Sequence, residues 1–161
     1  LKAIDLKRSK KYSKGNIEPK YLVKEFLKKT KYIKKKDYIV YLQPTSPLRT
    51  SLHIKSAIEK VIKEKTNSLT SVVKVNNKIL KSTILKKNKI YSIFKESNLT
   101  SSRQKLKDIY VPNGAIYIFK VSEFLKKNNF PINGSTCFIM PRNESVDVDS
   151  LDDLRVINNI L

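Results

Sequence analysis

The sequence predicts an α/β sheet domain. Short apolar runs alternate along it with stretches whose apolar residues recur at helical spacing. One pair of apolar alternations flanks a lysine-rich turn and reads as a hairpin. With 161 residues, 40% of them hydrophobic and 30% charged, the chain can bury one sizeable core as a single domain.

Ala3–Lys7 reads as a short opening strand. Pro19 stands at the start of a helix over 20–28, with apolar residues at 22, 23, 26 and 27. Lys34-Lys35-Lys36 is placed where that helix ends, a position the helix dipole favours for cations. Tyr38–Leu42 is an unbroken apolar run, which predicts a strand buried on both faces, as in a parallel sheet. Thr50 or Ser51 can cap the next helix, which runs to about Lys65 and buries Leu52, Ile54, Ala57, Ile58, Val61 and Ile62. Leu69–Val75 is a strand. Ile79–Leu85 and Ile90–Phe94 form the hairpin around Lys86–Lys89. Asn113-Gly114 breaks the chain before a strand over 115–119, and Ser122 opens a short helix to Lys127. Thr136–Met140 is a further strand, with Cys137 read as a small core residue. Ser150–Leu154 starts a final helix with acids in its first turn.

Composition narrows the function classes. Cys137 is the only cysteine, which excludes an intrachain disulfide and a cysteine-rich zinc site. No run approaches the roughly 18 apolar residues of a membrane helix. Leu1–Asp5 carries no signal pattern, so a cytoplasmic location is expected. The formal net charge is +20, from 34 Lys and Arg against 14 Asp and Glu. That charge suggests nucleic acid or an anionic surface. Only five of the cations are arginine, however, the residue preferred for bidentate reading of phosphate and guanine. The chain is also rich in Asn and Ile, a mix that AT-rich coding produces without selection for binding. We therefore expect neither a specific nucleic-acid partner nor a membrane partner.

Three segments carry chemistry. After Leu42 the chain turns abruptly into Gln43-Pro-Thr-Ser-Pro47, where two prolines stiffen a polar strand exit. In open α/β sheets ligands bind beyond such strand ends. In Ser145-Val-Asp-Val-Asp149, the carboxylates of Asp147 and Asp149 lie two residues apart and leave one face of an extended backbone. They suit either a Mg²⁺ ion shared with substrate phosphates or a solvated turn before a helix. Asp152 and Asp153 serve the helix start. In Ser102–Ile118, Arg103 can fork a carboxylate, and the Asn113-Gly114 amide can bond a polar ligand beside Tyr117.

In order and spacing, Leu42-Gln-Pro-Thr-Ser-Pro-Leu-Arg-Thr50, Arg103-Gln104, Tyr110 with Asn113-Gly-Ala-Ile-Tyr117, and Ser145-Val-Asp-Val-Asp149 with Asp153-Leu154 resemble the acylneuraminate cytidylyltransferases. That family comprises the CMP-sialic acid synthetases, with the pseudaminic and legionaminic acid versions. The resemblance covers nearly the whole chain. It implies a Rossmann-like nucleotide-diphospho-sugar transferase fold, with a mostly parallel sheet and a β-hairpin dimerisation excursion at about 76–105. The implied reaction joins CTP and a nonulosonic acid into a CMP-sugar, releasing pyrophosphate, with Mg²⁺ or Mn²⁺ as cofactor and a homodimer as the assembly.

Residue by residue, Gln43, Arg103 and Asn113 match sugar-binding positions, and Lys81 matches more loosely a lysine of the dimerisation excursion. Thr45 and Arg8 match nucleotide-side positions, and Asp147 and Asp149 the catalytic, metal-binding aspartates. The chain departs from the family around Arg8-Ser9 and Tyr12–Gly15. It also lacks the opening strand and glycine-rich phosphate loop: its glycines are Gly15, Gly114 and Gly134, none in a phosphate-binding pattern. The expectation is a fragment of a longer enzyme, inactive alone. The alternatives are a basic nucleic-acid-binding domain and a non-catalytic remnant.

Overall fold

Pro19 at the first helical position, Thr50 before Ser51 and a Lys-Asn turn between two apolar alternations mark where elements begin and end. The computed structural model, which describes residues 6–13 and 17–158, builds from them four helices, four central strands and a separate hairpin. Residues 3–5 of the expected opening strand, and 14–16, lie outside the described residues.

The first helix, α1 (Pro19–Lys29), ends at Thr30, whose hydroxyl donates to Phe26 O at 2.6 Å. Lys28 and Lys29 therefore occupy the last turn, and Lys34–Lys36 lie beyond it in the turn before the sheet rather than at the helix end. α2 (Ser51–Glu64) has a reciprocal cap. The N–H of His53 donates to Thr50 Oγ1 at 3.3 Å, and its Nδ1 accepts the Thr50 N–H at 3.2 Å. Such a cap stabilises a helix by about 1 kcal/mol. α3 spans Val121–Lys127 and α4 Leu151–Asn158. Among the described residues no helix is long and apolar enough to cross a membrane.

The central sheet has the order β1-β5-β2-β6, with β1 at Tyr38–Tyr41, β2 at Ser68–Val75, β5 at Ile109–Lys120 and β6 at Thr136–Met140. β1, β2 and β6 run the same way, and β5 lies between β1 and β2 against them. On one face, α2 packs Ala57 and Val61 against Leu69, Ile116, Ile118 and Met140. On the other, Val23 of α1 and Phe124 of α3 enclose Phe119, with Ile39, Tyr41, Tyr117 and Phe130 around them. Three layers result.

Four expectations change here. The first is the buried face of α2: Ala57 and Val61 are buried, but Leu52, Ile58 and Ile62 are exposed because nothing packs over that side of the helix among the described residues. β1 is an edge strand with alternating exposure, Tyr38 at 43% and Val40 at 38%, because only β5 pairs with it. Beside it an open apolar groove runs between Val40, Ile118 and the exposed Ile58 and Ile62 of α2. Cys137 is exposed rather than a core residue, since β6 forms the other edge. Asn113-Gly114 does not break the chain before a strand but lies inside β5.

The hairpin appears, but with shorter strands than expected, since Asn77–Lys81 forms a 3-10 helix and the second strand ends at Ser92. β3 (Thr83–Lys86) pairs with β4 (Lys89–Ser92) around Lys87 and Asn88, both at positive φ, 47° and 61°. That is the two-residue turn whose twist suits a hairpin. It stands off the central sheet within the excursion between β2 and β5 and exposes Leu85 and Ile90 at 77% and 64%.

Candidate active site

The loop after β1 is two successive turns, each with proline second. Ser46 N–H donates to Gln43 O at 3.5 Å across Pro44-Thr45, and Arg49 N–H to Ser46 O at 3.3 Å across Pro47-Leu48. Proline presets φ for that position. The tandem turns fold the loop back on itself, so Arg49 Nη1 reaches Gln43 O at 2.9 Å and Ala115 O at 2.8 Å. Burial lowers the pKa of this guanidinium, yet arginine remains charged in proteins.

β5 meets this loop at a wide bulge. Thr70 pairs with Tyr117 and Val72 with Pro112, which leaves residues 113–116 opposite Ser71 alone. Proline is tolerated in strands at such places. Side chains replace the lost ladder: Ser71 Oγ donates to Asn113 Oδ1 at 2.6 Å and accepts the Ile116 N–H at 2.7 Å. Asn113 Nδ2 in turn donates to Ser145 Oγ at 2.9 Å and lies 3.3 Å from Met140 Sδ.

The bulge pushes Gly114, at φ +75°, into a convergence of polar groups. A Cβ there would fall 2.6 Å from Gln43 Oε1, 3.2 Å from Asp147 Oδ2 and 3.6 Å from Ser46 Oγ. The aspartate loop is held to the proline loop by Val148 N–H donating to Thr45 O at 2.8 Å. It is held to α2 by His53 Nε2, 3.0 Å from Glu144 Oε2. Two oxygens in this cluster, Ser46 Oγ and Asp147 Oδ1, are buried without a hydrogen-bond partner. Native proteins seldom leave such atoms unsatisfied, and an exception points to a missing ligand, ion or water.

Gln43 also borders a cleft of about 190 Å³ lined by Tyr41, Tyr117, Phe130 and Ile132, with Glu18 and Lys20 paired at 2.7 Å at its mouth. Burial first, and then the negative charge of Asp147, raise the Tyr117 hydroxyl above its ordinary pKa. Burial does the same for Tyr41, against an opposing pull from Arg8. Both hydroxyls stay protonated at neutral pH.

Of the residues singled out in the sequence, Gln43, Thr45 and Asp147 come together here, along with Asn113. Asn113 is 6% exposed with its amide and carbonyl both engaged, so it braces Ser145 and the bulge instead of facing a ligand. Asp149 is exposed, and its N–H is bound by the Asp153 carboxylate, which also accepts from Ser150.

Arg8 lies along α1 beside Glu25 and Phe26. Arg103 and Lys81 sit in the excursion. Among the described residues, no hydrogen bond or ion pair ties either of them to the cluster around Gly114. Sequence reasoning noted Ser46 as a polar side chain of the strand exit without giving it a role, and missed the parts played by Arg49 and by the cleft wall at Phe130. Only the proline spacing around Ser46 hinted at the roles of Ser46 and Arg49.

No protein-family model matches the chain. Individual proteins do. Over 141 residues it is 32% identical to the N-acylneuraminate cytidylyltransferase of Streptococcus agalactiae serotype III, covering 86% of this chain and 33% of that protein. Over 118 residues it is 28% identical to the pseudaminic acid cytidylyltransferase of Campylobacter jejuni serotype O:23/36, covering 73% of this chain and 51% of that one. Over most of its length the chain is thus similar in sequence to acylneuraminate-type cytidylyltransferases. It spans about a third to a half of the length of the curated relatives it matches. A crystal structure of Francisella tularensis 2-C-methyl-D-erythritol 4-phosphate cytidylyltransferase superposes with a TM-score of 0.58 at 13% identity, over 86% of this chain and 66% of that one. That likeness shows the fold, a Rossmann-like α/β domain.

Proposed function

We propose that this chain forms the sugar-side wall of a CTP-dependent cytidylyltransferase, cytoplasmic and homodimeric, that activates a nonulosonic acid. The anomeric hydroxyl of the sugar attacks the α-phosphate of CTP. A bond forms between the sugar oxygen and the α-phosphorus, the bond from that phosphorus to the oxygen bridging the β-phosphate breaks, pyrophosphate leaves, and the hydroxyl proton passes to water. The observation that carries the reading is the buried, unpartnered Asp147 Oδ1 beside Gln43 and Ser46.

The residues present fit a hard divalent ion, Mg²⁺ or Mn²⁺. Asp147 offers a free carboxylate oxygen, and the exposed Asp149 follows two residues on. Among the described residues no third acidic, histidine or cysteine ligand joins them, which suits an ion completed by substrate oxygens. When bound there, such an ion neutralises charge on the phosphates. Gln43 orients the sugar, whose less polar substituents enter the Tyr41–Tyr117–Phe130 cleft. Arg103 forks the sugar carboxylate, Lys81 supplies a second cation from the excursion, and Thr45 and Arg8 face the nucleotide.

The test is pyrophosphate release from CTP, Mg²⁺ and a nine-carbon sugar acid by the protein that contains this chain. Asp147→Asn is expected to lower turnover by about 100-fold or more, the scale of a lost metal contact. Undiminished turnover would remove Asp147 from the chemistry. The excursion's bare Ile79, Ile84, Leu85, Ile90, Tyr91, Ile93 and Phe94 support pairing with a second copy. Sedimentation equilibrium is expected to read two chains, and a strict monomer at micromolar concentration would sink that part.

A further inference from the structure

We infer that Arg49 is a positioning residue for this site. The inference rests on the reading of the Gly114 cluster as the place where substrate and metal are held. The β1–β5 ladder ends at Tyr41 opposite Tyr117, and the same register continued by two residues would set Gln43 opposite Ala115. That rung is not made. The strands part there, and Arg49 Nη1 spans the fork, giving one N–H to Gln43 O and the other to Ala115 O.

Each of those carbonyls belongs to, or adjoins, a residue of the cluster. Gln43 brings its Oε1 to Gly114, and Ala115 follows Gly114 in the bulge. The guanidinium therefore fixes the spacing of the two backbones that carry the cluster in which Ser46 Oγ and Asp147 Oδ1 lie buried without partners. Its two N–H groups let one nitrogen hold two carbonyls, and its charge makes both hydrogen bonds stronger than neutral ones. The tandem prolines deliver Arg49 to the fork, because each turn reverses the chain and the second ends on Arg49 itself. Arg49 touches neither substrate nor metal in this scheme and acts only through the backbone of Gln43 and Ala115.

The experiment is a Mn²⁺ titration of the protein that contains this chain, followed by broadening of the Gly114 and Asp147 amide signals, in wild type, Arg49→Met and Arg49→Lys. Methionine keeps an apolar stem without donors, and lysine restores a charged one. Arg49→Met is expected to weaken Mn²⁺ binding by about tenfold, the scale of a lost hydrogen bond to a charged group. Arg49→Lys is expected to recover part of that loss. Equal affinity in wild type and Arg49→Met, or no recovery in Arg49→Lys, overturns the proposal.

Should wild type show no broadening at Gly114, the metal reading of Asp147 fails on its own. Amide exchange at Val148 then decides the role of Arg49, because Val148 is the backbone tie between the two loops. The proposal requires that amide to exchange about tenfold faster in Arg49→Met, with Leu69 and Ile118 unchanged. An unchanged Val148 overturns it.

Discussion

Gly114→Ala is expected to abolish ligand binding at the site while leaving the protein folded. Residue 114 lies at φ +75°, where a side chain costs roughly 1–2 kcal/mol. The new methyl would stand 2.6 Å from Gln43 Oε1, so the glutamine amide must swing away. Asp147 Oδ2, at 3.2 Å, would also have to give, against the Val148–Thr45 tie that holds its loop.

Gly134→Ala supplies the matched control. Gly134 has φ +80°, and nothing lies within 4 Å of where its Cβ would stand. Both variants carry the backbone strain, and only one crowds the site. Urea denaturation should therefore show losses of about 1–2 kcal/mol in each. Binding of Mn²⁺ and of the sugar acid should fall by about 100-fold or more in Gly114→Ala alone, since two polar contacts move at once. Equal binding in the two variants would refute the account of the cluster.

The ease with which elements were read from the sequence follows from how local their causes are. α2 was legible because its cap, its apolar spacing and its length all lie within fifteen residues, and Thr50 proved to be the cap. The hairpin was legible for the same reason. The β5 bulge was not. Asn113-Gly114 carries the local signal of a turn, but Ser71, 42 residues away in sequence, supplies a hydroxyl that lets the strand continue through it. β1 reads as doubly buried because apolar content alone does not reveal how many neighbours a strand has.

At the site, Gln43, Thr45 and Asp147 were found through motif and chemistry, and the structure joins them. Asn113 was found too, but its task changed from contact to brace, since no sequence shows which of an amide's hydrogen bonds are already satisfied. Arg49 escaped notice because its partners are two backbone carbonyls, one of them 66 residues away, and backbone partners leave no residue-type signature. Arg103 and Lys81 lie in the excursion, where among the described residues no hydrogen bond or ion pair ties them to the cluster, and motif spacing does not encode such ties.

Phe130→Ala is expected to damage the core and the cleft together. Phe130 meets Tyr41, Tyr117, Phe119 and Phe124 edge-on, with ring centroids 5.1, 5.2, 5.1 and 6.0 Å away. Phe119 and Phe124 are 1% and 0% exposed, whereas Tyr41 and Tyr117 line the cleft. One ring thus bridges the packed interior and the proposed sugar-side wall. Its removal should cost about 3 kcal/mol, from lost burial, lost aromatic contacts and the void left behind.

Phe130→Leu separates the two consequences. Leucine refills most of the volume, and the stability loss should shrink to about 1 kcal/mol in urea titrations. It cannot restore the edge-on contacts that fix the two tyrosine rings. Sugar-acid affinity should therefore stay about tenfold below wild type, as expected when a rigid wall must be ordered on binding. If Phe130→Leu recovers affinity in step with stability, the aromatic geometry is incidental and volume alone shapes the cleft. If stability returns without affinity, the same ring that seals the α1–α3 face of the sheet also holds Tyr41 and Tyr117 in place for the ligand.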